Sequence, residues 1–398
     1  MRQDTMMHES TLVEKPAPTH HRITALLGLS WLHFLNDGAA NFLPGILPAI
    51  LVILHRSASS ASEIMAALLI GQALQPFMGW WSDRVGGKSL VLLGVGGTSL
   101  GLVLVGTSTN IGMLLAVLFL IGISNAMFHP QALASARSLA RTSHGAIMSA
   151  FLVGGEIGRG LYPLVASLVV ATYGLDGLWV VAVPALISIP LVAVLLPRLP
   201  ARHVDAEPIV WRRHAKPAAA LVLYVSLRAF LLYALVTYLP LLWRETGGSL
   251  VGGASLITVL LMVGVIGNVS GGLLADRFGR RFVLVGSSLL SALFVTLYMM
   301  SSGWVVWVTL GFLGIVIFSA LPVSVIVGQD IFPESRSLGS GLALGFGNSI
   351  GALLLLGFGA AVHVLGIRGA IWILVPVALT CALVSAFMVT YERHAADS

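Results

Sequence analysis

Along the 398 residues, long apolar runs alternate with short polar breaks made of charged, Gly/Pro and Ser/Thr clusters. The runs lie near 23–54, 63–82, 89–107, 110–136, 144–172, 177–196, 218–243, 250–275, 282–301, 303–329, 337–364 and 369–391. Most exceed the roughly 20 residues that a helix needs to cross a hydrocarbon core about 30 Å thick. Short alternating barrel strands are missing from the pattern, and lipid tolerates no unpaired backbone, so the runs predict helices. The expected fold is all-α, with twelve transmembrane helices.

Composition supports that reading. Hydrophobic residues make up 57% and charged residues only 10% of the chain, where a soluble domain carries roughly 25% charged. The formal net charge is +6, but the basic residues are scattered between apolar runs and form no patch with interleaved aromatics, which excludes nucleic acid as a partner. The polar opening, residues 1–22, has no short apolar core ending in a cleavage site, so no cleaved signal peptide is expected and the first run stays as a helix. The one cysteine, Cys381, excludes an intrachain disulfide.

Basic residues also fix an orientation. With the N-terminus inside, Arg56, Arg244 and Arg368 are the Lys/Arg residues left outside, Arg159 and Arg228 lie within runs, and all others fall on the cytoplasmic side. The positive-inside rule then places both termini in the cytoplasm of a multi-pass protein in the cell (inner) membrane. The polar interval 197–217 suits a cytoplasmic linker between an N-terminal half, 23–196, and a C-terminal half, 218–391, with an arm at 1–22 and a tail at 392–398. A shift of 193 residues carries Gly71 onto Gly264, Gly79 onto Gly272, Asp83 onto Asp276, Arg84 onto Arg277, Gly86 onto Gly279, Gly154 onto Gly347 and Gly158 onto Gly351. One offset for all seven pairs marks an internal repeat.

The paired segments Gly79-Trp-Trp-Ser-Asp83-Arg84-Val-Gly86 and Gly272-Leu-Leu-Ala-Asp276-Arg277-Phe-Gly279 resemble the loop motif of the major facilitator superfamily. In that resemblance the carboxylate pairs with a cation or a helix N-terminus of a neighbouring helix and holds one conformation closed. Three further stretches resemble the fosmidomycin-resistance-type drug exporters: His33-x-x-Asn36-Asp37, then Phe128-His129-Pro130 with Ala136-Arg137, then Val153-Gly154-Gly155 with Gly158 and Pro163. This resemblance implies two six-helix halves rocking about a central cavity and proton-coupled efflux of a small molecule. Where that group has an acidic residue after Phe-His-Pro and an Asn after the paired glycines, this chain has Gln131 and Glu156, and Arg159 stands where a small residue is usual.

Charges at mid-membrane cost roughly 2.5–3.5 kcal/mol each on insertion scales, so Asp37, Glu156, Arg159 and Arg228 need a reason. Either they line a substrate- and proton-binding cavity or they are paired charges that fix helix register. His33, Asp37 and Asn41 share one face of the first span, with Asn36 beside them, and Asp37 is a candidate to load a proton from outside. Glu156 and Arg159, three apart, form either an intrahelical pair or a switch in which protonating Glu156 frees Arg159 for an anion. Together with Arg228, Arg159 favours a carboxylate, phosphate or phosphonate, because the guanidinium fork matches those oxyanions. Asn125, His129, Gln131, Gln72 and Gln75 either line the cavity or bond between helices. Tyr224, Tyr233 and Tyr238 are lining or packing residues.

No nucleotide loop, metal-binding His-Glu-x-x-His or cysteine cluster is present, so no enzyme, metal or cofactor is expected. The expected function is proton-coupled antiport of a small polar, anionic compound or drug, by a monomer whose partners are that compound, protons and the bilayer. The alternatives are proton-coupled uptake of an organic anion and a non-transporting membrane receptor or scaffold.

Overall fold

In the computed structural model, residues 19–139, 144–196 and 211–396 are described. The arm 1–18, the greater part of the linker, 197–210, and the end of the tail, 397–398, lie outside the described residues. All the elements are helices, as an apolar chain in lipid requires.

Span 1 is broken in two. α1 (Thr19–Asn41) and α2 (Leu43–Ile53) meet at Phe42, and Pro44 in the first turn of α2 removes an amide that the helix start leaves unpaired in any case. Span 2 is likewise split into α3 (Ala61–Gln72) and α4 (Gln75–Val85). Then come α5 (Ser89–Gly106), α6 (Ile111–Leu139), α7 (His144–Tyr173) and α8 (Trp179–Ala193), which complete six spans.

The second half starts with α9 (Trp211–Glu245). Its helix begins ahead of the expected span at 218, so residues 211–217 continue a helix where the sequence pattern reads linker. α10 (Leu250–Phe278), α11 (Arg280–Met300) and α12 (Val305–Ile331) follow. Span 11 is assembled from α13 (Arg336–Gly341), a π-helical turn at Leu342–Phe346, and the first part of α14 (Gly347–Trp372). Gly366, at φ 71°, breaks α14 and hands the chain to span 12, which continues in α15 (Leu374–Ala396). A side chain would strain that conformation.

Glycines set how closely the helices approach. A Cβ on Gly158 would lie 2.1 Å from Phe34 O, and one on Gly154 would lie 2.5 Å from Ser30 O, so α1 and α7 touch backbone to backbone. In the second half, Gly267 and Gly271 of α10 meet Ile315 O and Ser319 O of α12 at 1.9 and 2.0 Å by the same measure. Close approach at small residues is how membrane helices gain packing when lipid offers no hydrophobic drive.

The halves are sealed at the end away from the linker. There Phe42, Leu43, Ile46 and Leu47 pack in one continuous core with Leu235, Tyr238 and Leu239 of α9, all fully buried. Ser62 Oγ and the Tyr238 hydroxyl hydrogen-bond across the seam at 2.6 Å.

Candidate functional site

Three helices of the first half bring their polar positions to one point. His33 and Asp37 are one turn apart on α1, Asn125 and His129 one turn apart on α6, and Glu156 and Arg159 nearly a turn apart on α7. At the centre is the Asp37 carboxylate, almost wholly buried. Its Oδ1 accepts from Asn36 Nδ2 and Asn125 Nδ2, both at 3.2 Å, and lies 3.2 Å from His129 Nε2. Its Oδ2 is 3.4 Å from His33 Nε2 and 3.6 Å from Arg159 Nη2. Thr98 on α5, which the sequence reading did not single out, donates to Asn36 Oδ1 at 3.3 Å and so orients that amide. Asn41 supports the backbone instead, donating to Asp37 O at 2.8 Å.

The two imidazoles define the site's proton chemistry. His33 Nδ1 is 2.8 Å from Phe151 O, and His129 Nδ1 is 2.9 Å from Asn125 O. A carbonyl oxygen only accepts, so both Nδ1 atoms carry hydrogen, and in a neutral ring each Nε2 faces Asp37 with a bare lone pair. Each Nε2–carboxylate contact is therefore attractive only if a further proton sits on the ring or on the carboxyl. A carboxyl donates one proton to one ring, so satisfying both contacts takes two protons among the three groups.

Arg159 is shared. Its Nη1 lies 3.4 Å from both Glu156 oxygens while Nη2 reaches Asp37. Its side chain keeps 31% of its surface exposed although it sits mid-helix, and it lies within electrostatic reach of Tyr233 on α9 of the other half. The guanidinium therefore faces the gap between the halves. His33, Asp37 and His129 also offer three ligand atoms within 4.8 Å of one another, a donor set that suits a divalent metal. Arg159 against the same carboxylate opposes a second cation there, and the cluster fits protons better than a metal.

Other candidate residues go elsewhere. Gln131 does not face the cluster: its Oε1 accepts from Leu90 N and Val91 N at 2.9 and 3.2 Å, and its Nε2 donates to Gly86 O at 2.7 Å. It fills the N-terminus of α5 and ties the preceding turn to α6. Gln72 and Gln75 flank the break between α3 and α4, and Gln75 is exposed. Arg228 is buried inside the second half, and Tyr233 on the same helix lies within electrostatic reach of both arginines.

The repeated loop motifs form tight turns, with Gly86 at φ 61° and Gly279 at φ 88°. The expected latch between helices is not made in this conformation. Asp83 and Asp276 are exposed with no ion pair among the described residues, and Arg84 lies over the Trp80 ring at 3.8 Å, donating to Trp80 O. Arg277 rests near Phe278. The acid and base of each motif sit at the linker end of the molecule.

A family model described as Major Facilitator Superfamily matches residues 29–272 and 221–398, which together cover both halves. The chain belongs to the Major Facilitator Superfamily. It is 28% identical over 341 residues to the fosmidomycin resistance protein of Escherichia coli K12, covering 83% of this chain and 84% of that protein. It is also 27% identical over 359 residues to YfnC of Bacillus subtilis, described as an uncharacterized MFS-type transporter, with 84% of each covered. Among solved structures, that of a mutant of the nucleoside transporter NupG superposes with a TM-score of 0.78 at 15% identity, covering 92% of this chain and 99% of that chain, and another NupG structure superposes with a TM-score of 0.73 at 16% identity, covering 92% and 98%. Membership settles the class: a multi-pass membrane transporter of two six-helix repeats, and not an enzyme.

Proposed function

We propose that this protein is a proton-coupled antiporter that exports a small polar, anionic compound from the cytoplasm by alternating access. The reading rests on one observation: both histidine Nε2 atoms converge on the Asp37 carboxylate while both Nδ1 atoms are committed to carbonyls. Removing the proton from the His129–Asp37 contact turns it repulsive and loosens α6 from α1, so proton number and helix packing are linked. Arg159 supplies the substrate end of the exchange. An oxyanion entering the gap competes with Glu156 for the guanidinium, and exchange requires that the proton load only after the substrate has left. Guanidinium geometry favours a carboxylate, phosphate or phosphonate.

The relatives support the direction, since one carries the name fosmidomycin resistance protein. The positive-inside rule assigns the linker end to the cytoplasm of the cell membrane, so the sealed end of the seam faces outward, as an exporter awaiting its load requires.

Proteoliposomes with a pH gradient and an internal pH dye test this. Carboxylates and phosphonates are expected to trigger proton movement opposite to their own, cationic drugs are not, and co-directional flux would mean uptake. Asp37→Asn is expected to lose proton-driven transport at least tenfold while keeping substrate–substrate exchange. If Asp37→Asn and Glu156→Gln both keep wild-type coupling, the scheme is wrong.

A further inference from the structure

The second half contains its own small cavity, lined by one arginine and three serines among apolar side chains and separate from the Asp37 cluster. Tyr224, Arg228 and Leu231 of α9 line it, with Ser287, Ser288 and Ser291 of α11, Ile317 and Ala320 of α12, and Ala378 and Cys381 of α15. Arg228 is only 7% exposed, and its buried Nε has no hydrogen-bond partner. The titratable groups that act on it are Tyr224, Tyr233 and Cys381, all neutral in their ordinary forms, and no carboxylate is among them. Among the described residues the guanidinium is thus a positive charge in the membrane interior with no ion-pair partner, a situation that membrane proteins avoid by pairing.

We propose that this cavity binds one small inorganic anion, of halide or nitrate size, as the resident counter-ion of Arg228. Size selects the class. The free volume is only about 10 Å³, close to the least that admits one water molecule, so an occupant little larger than water fits and an organic molecule does not. Donors are at hand as well. Arg228 offers its free Nε–H, and the Tyr224 hydroxyl lies on the same wall. Ser287, Ser288 and Ser291 now donate along their own helix to Leu284 O and Ser287 O; a rotation about one bond turns any of them into the cavity.

The internal repeat gives the pocket a context. The offset of the repeat carries Thr98, which serves the Asn36–Asp37 pair, onto Ser291, which lines this cavity. Equivalent places in the two halves thus hold a carboxylate cluster in one and a lone cation in the other. The first half balances its charge with Arg159 and two imidazoles. The second has only what it binds.

Thermal unfolding of the purified full chain in detergent tests this, comparing chloride, bromide and nitrate with gluconate at equal ionic strength. Halides and nitrate are expected to raise the midpoint by several degrees with saturable dependence, and Arg228→Gln to lose that response or raise its half-saturation at least tenfold. If Arg228→Gln does not fold, crystals of the wild-type chain grown in bromide decide, with an anomalous peak expected beside the guanidinium. No anion-specific stabilisation and no bromide peak would overturn the proposal. So would a halide response that survives Arg228→Gln, or stabilisation by organic carboxylates alone, which would make Arg228 a substrate residue.

Discussion

Asp37 has five polar neighbours, and each constrains a different property of it. The two amides, Asn36 and Asn125, donate whatever the pH, so they fix the carboxylate's position; the two imidazoles respond to protons. His129→Gln keeps a side chain that can donate to Oδ1 but cannot take up a proton. It is expected to lower the proton flux per substrate moved, measured with the pH dye and a labelled substrate, while leaving substrate affinity little changed. Gln131 gives a prediction of another kind. Gln131→Leu leaves the amides of Leu90 and Val91 and the carbonyl of Gly86 without their buried partner, and an unmet buried group costs about 1–3 kcal/mol. Thermal unfolding should show a clear drop in midpoint, whereas a cavity-lining role alone would leave stability unchanged. The sequence made Asp37, His33, His129, Glu156 and Arg159 legible, because ionisable groups in apolar runs stand out. It did not separate Gln131 from them, since an amide reads the same whether it meets a ligand or a helix end. Nor did it single out Thr98, an unremarkable residue in a span that also carries serines.

At the scale of helices, the cluster exists because α1 and α7 touch. Gly154, Gly155 and Gly158 let Ser30, His33 and Phe34 approach, and this contact sets Asp37 against Arg159. Gly158→Val would insert a branched side chain where even a Cβ lies 2.1 Å from Phe34 O. The helices must then part, and transport is expected to fall at least tenfold though no charged group has changed. Gly357→Ala, on α14 with nothing within 4 Å of the added Cβ, is the control and should leave the rate as it is. The sequence foretold the number of spans and the repeat, because span length and glycine spacing are written directly in hydrophobicity and in the 193-residue offset. The breaks within spans 1, 2 and 11 were hidden. Hydropathy runs unbroken through Phe42, through Ala73–Leu74 and through Leu342–Phe346, and only tertiary packing decides where such a run bends.

Across the whole molecule, the seam between the halves is shut at the end away from the linker, and the proposed alternating access requires that this closure reverse. The shut end can be fixed chemically. A Cβ built on Gly359 of α14 lies 3.0 Å from Ser62 Cβ and 2.8 Å from Ser59 O, so the two helices meet there across the halves. A disulfide holds its Cβ atoms about 3.5–4.5 Å apart, and a slight parting of α3 and α14 suffices to accommodate one. The sole native cysteine, Cys381, is buried within the second half and does not compete. Ser62→Cys with Gly359→Cys is therefore expected to cross-link under mild oxidation, stopping net transport and exchange together, and reductant should restore both. Substrate binding from the linker end should survive the cross-link, which bridges only the opposite end. The result separates two accounts of the fold: if transport continues with the seam locked, the halves do not rock about it and the Asp37 cluster must communicate through some smaller motion. If transport stops while binding persists, the proton-sensitive contact between α1 and α6 lies on the moving side of a closed gate, where a change in protonation can release it.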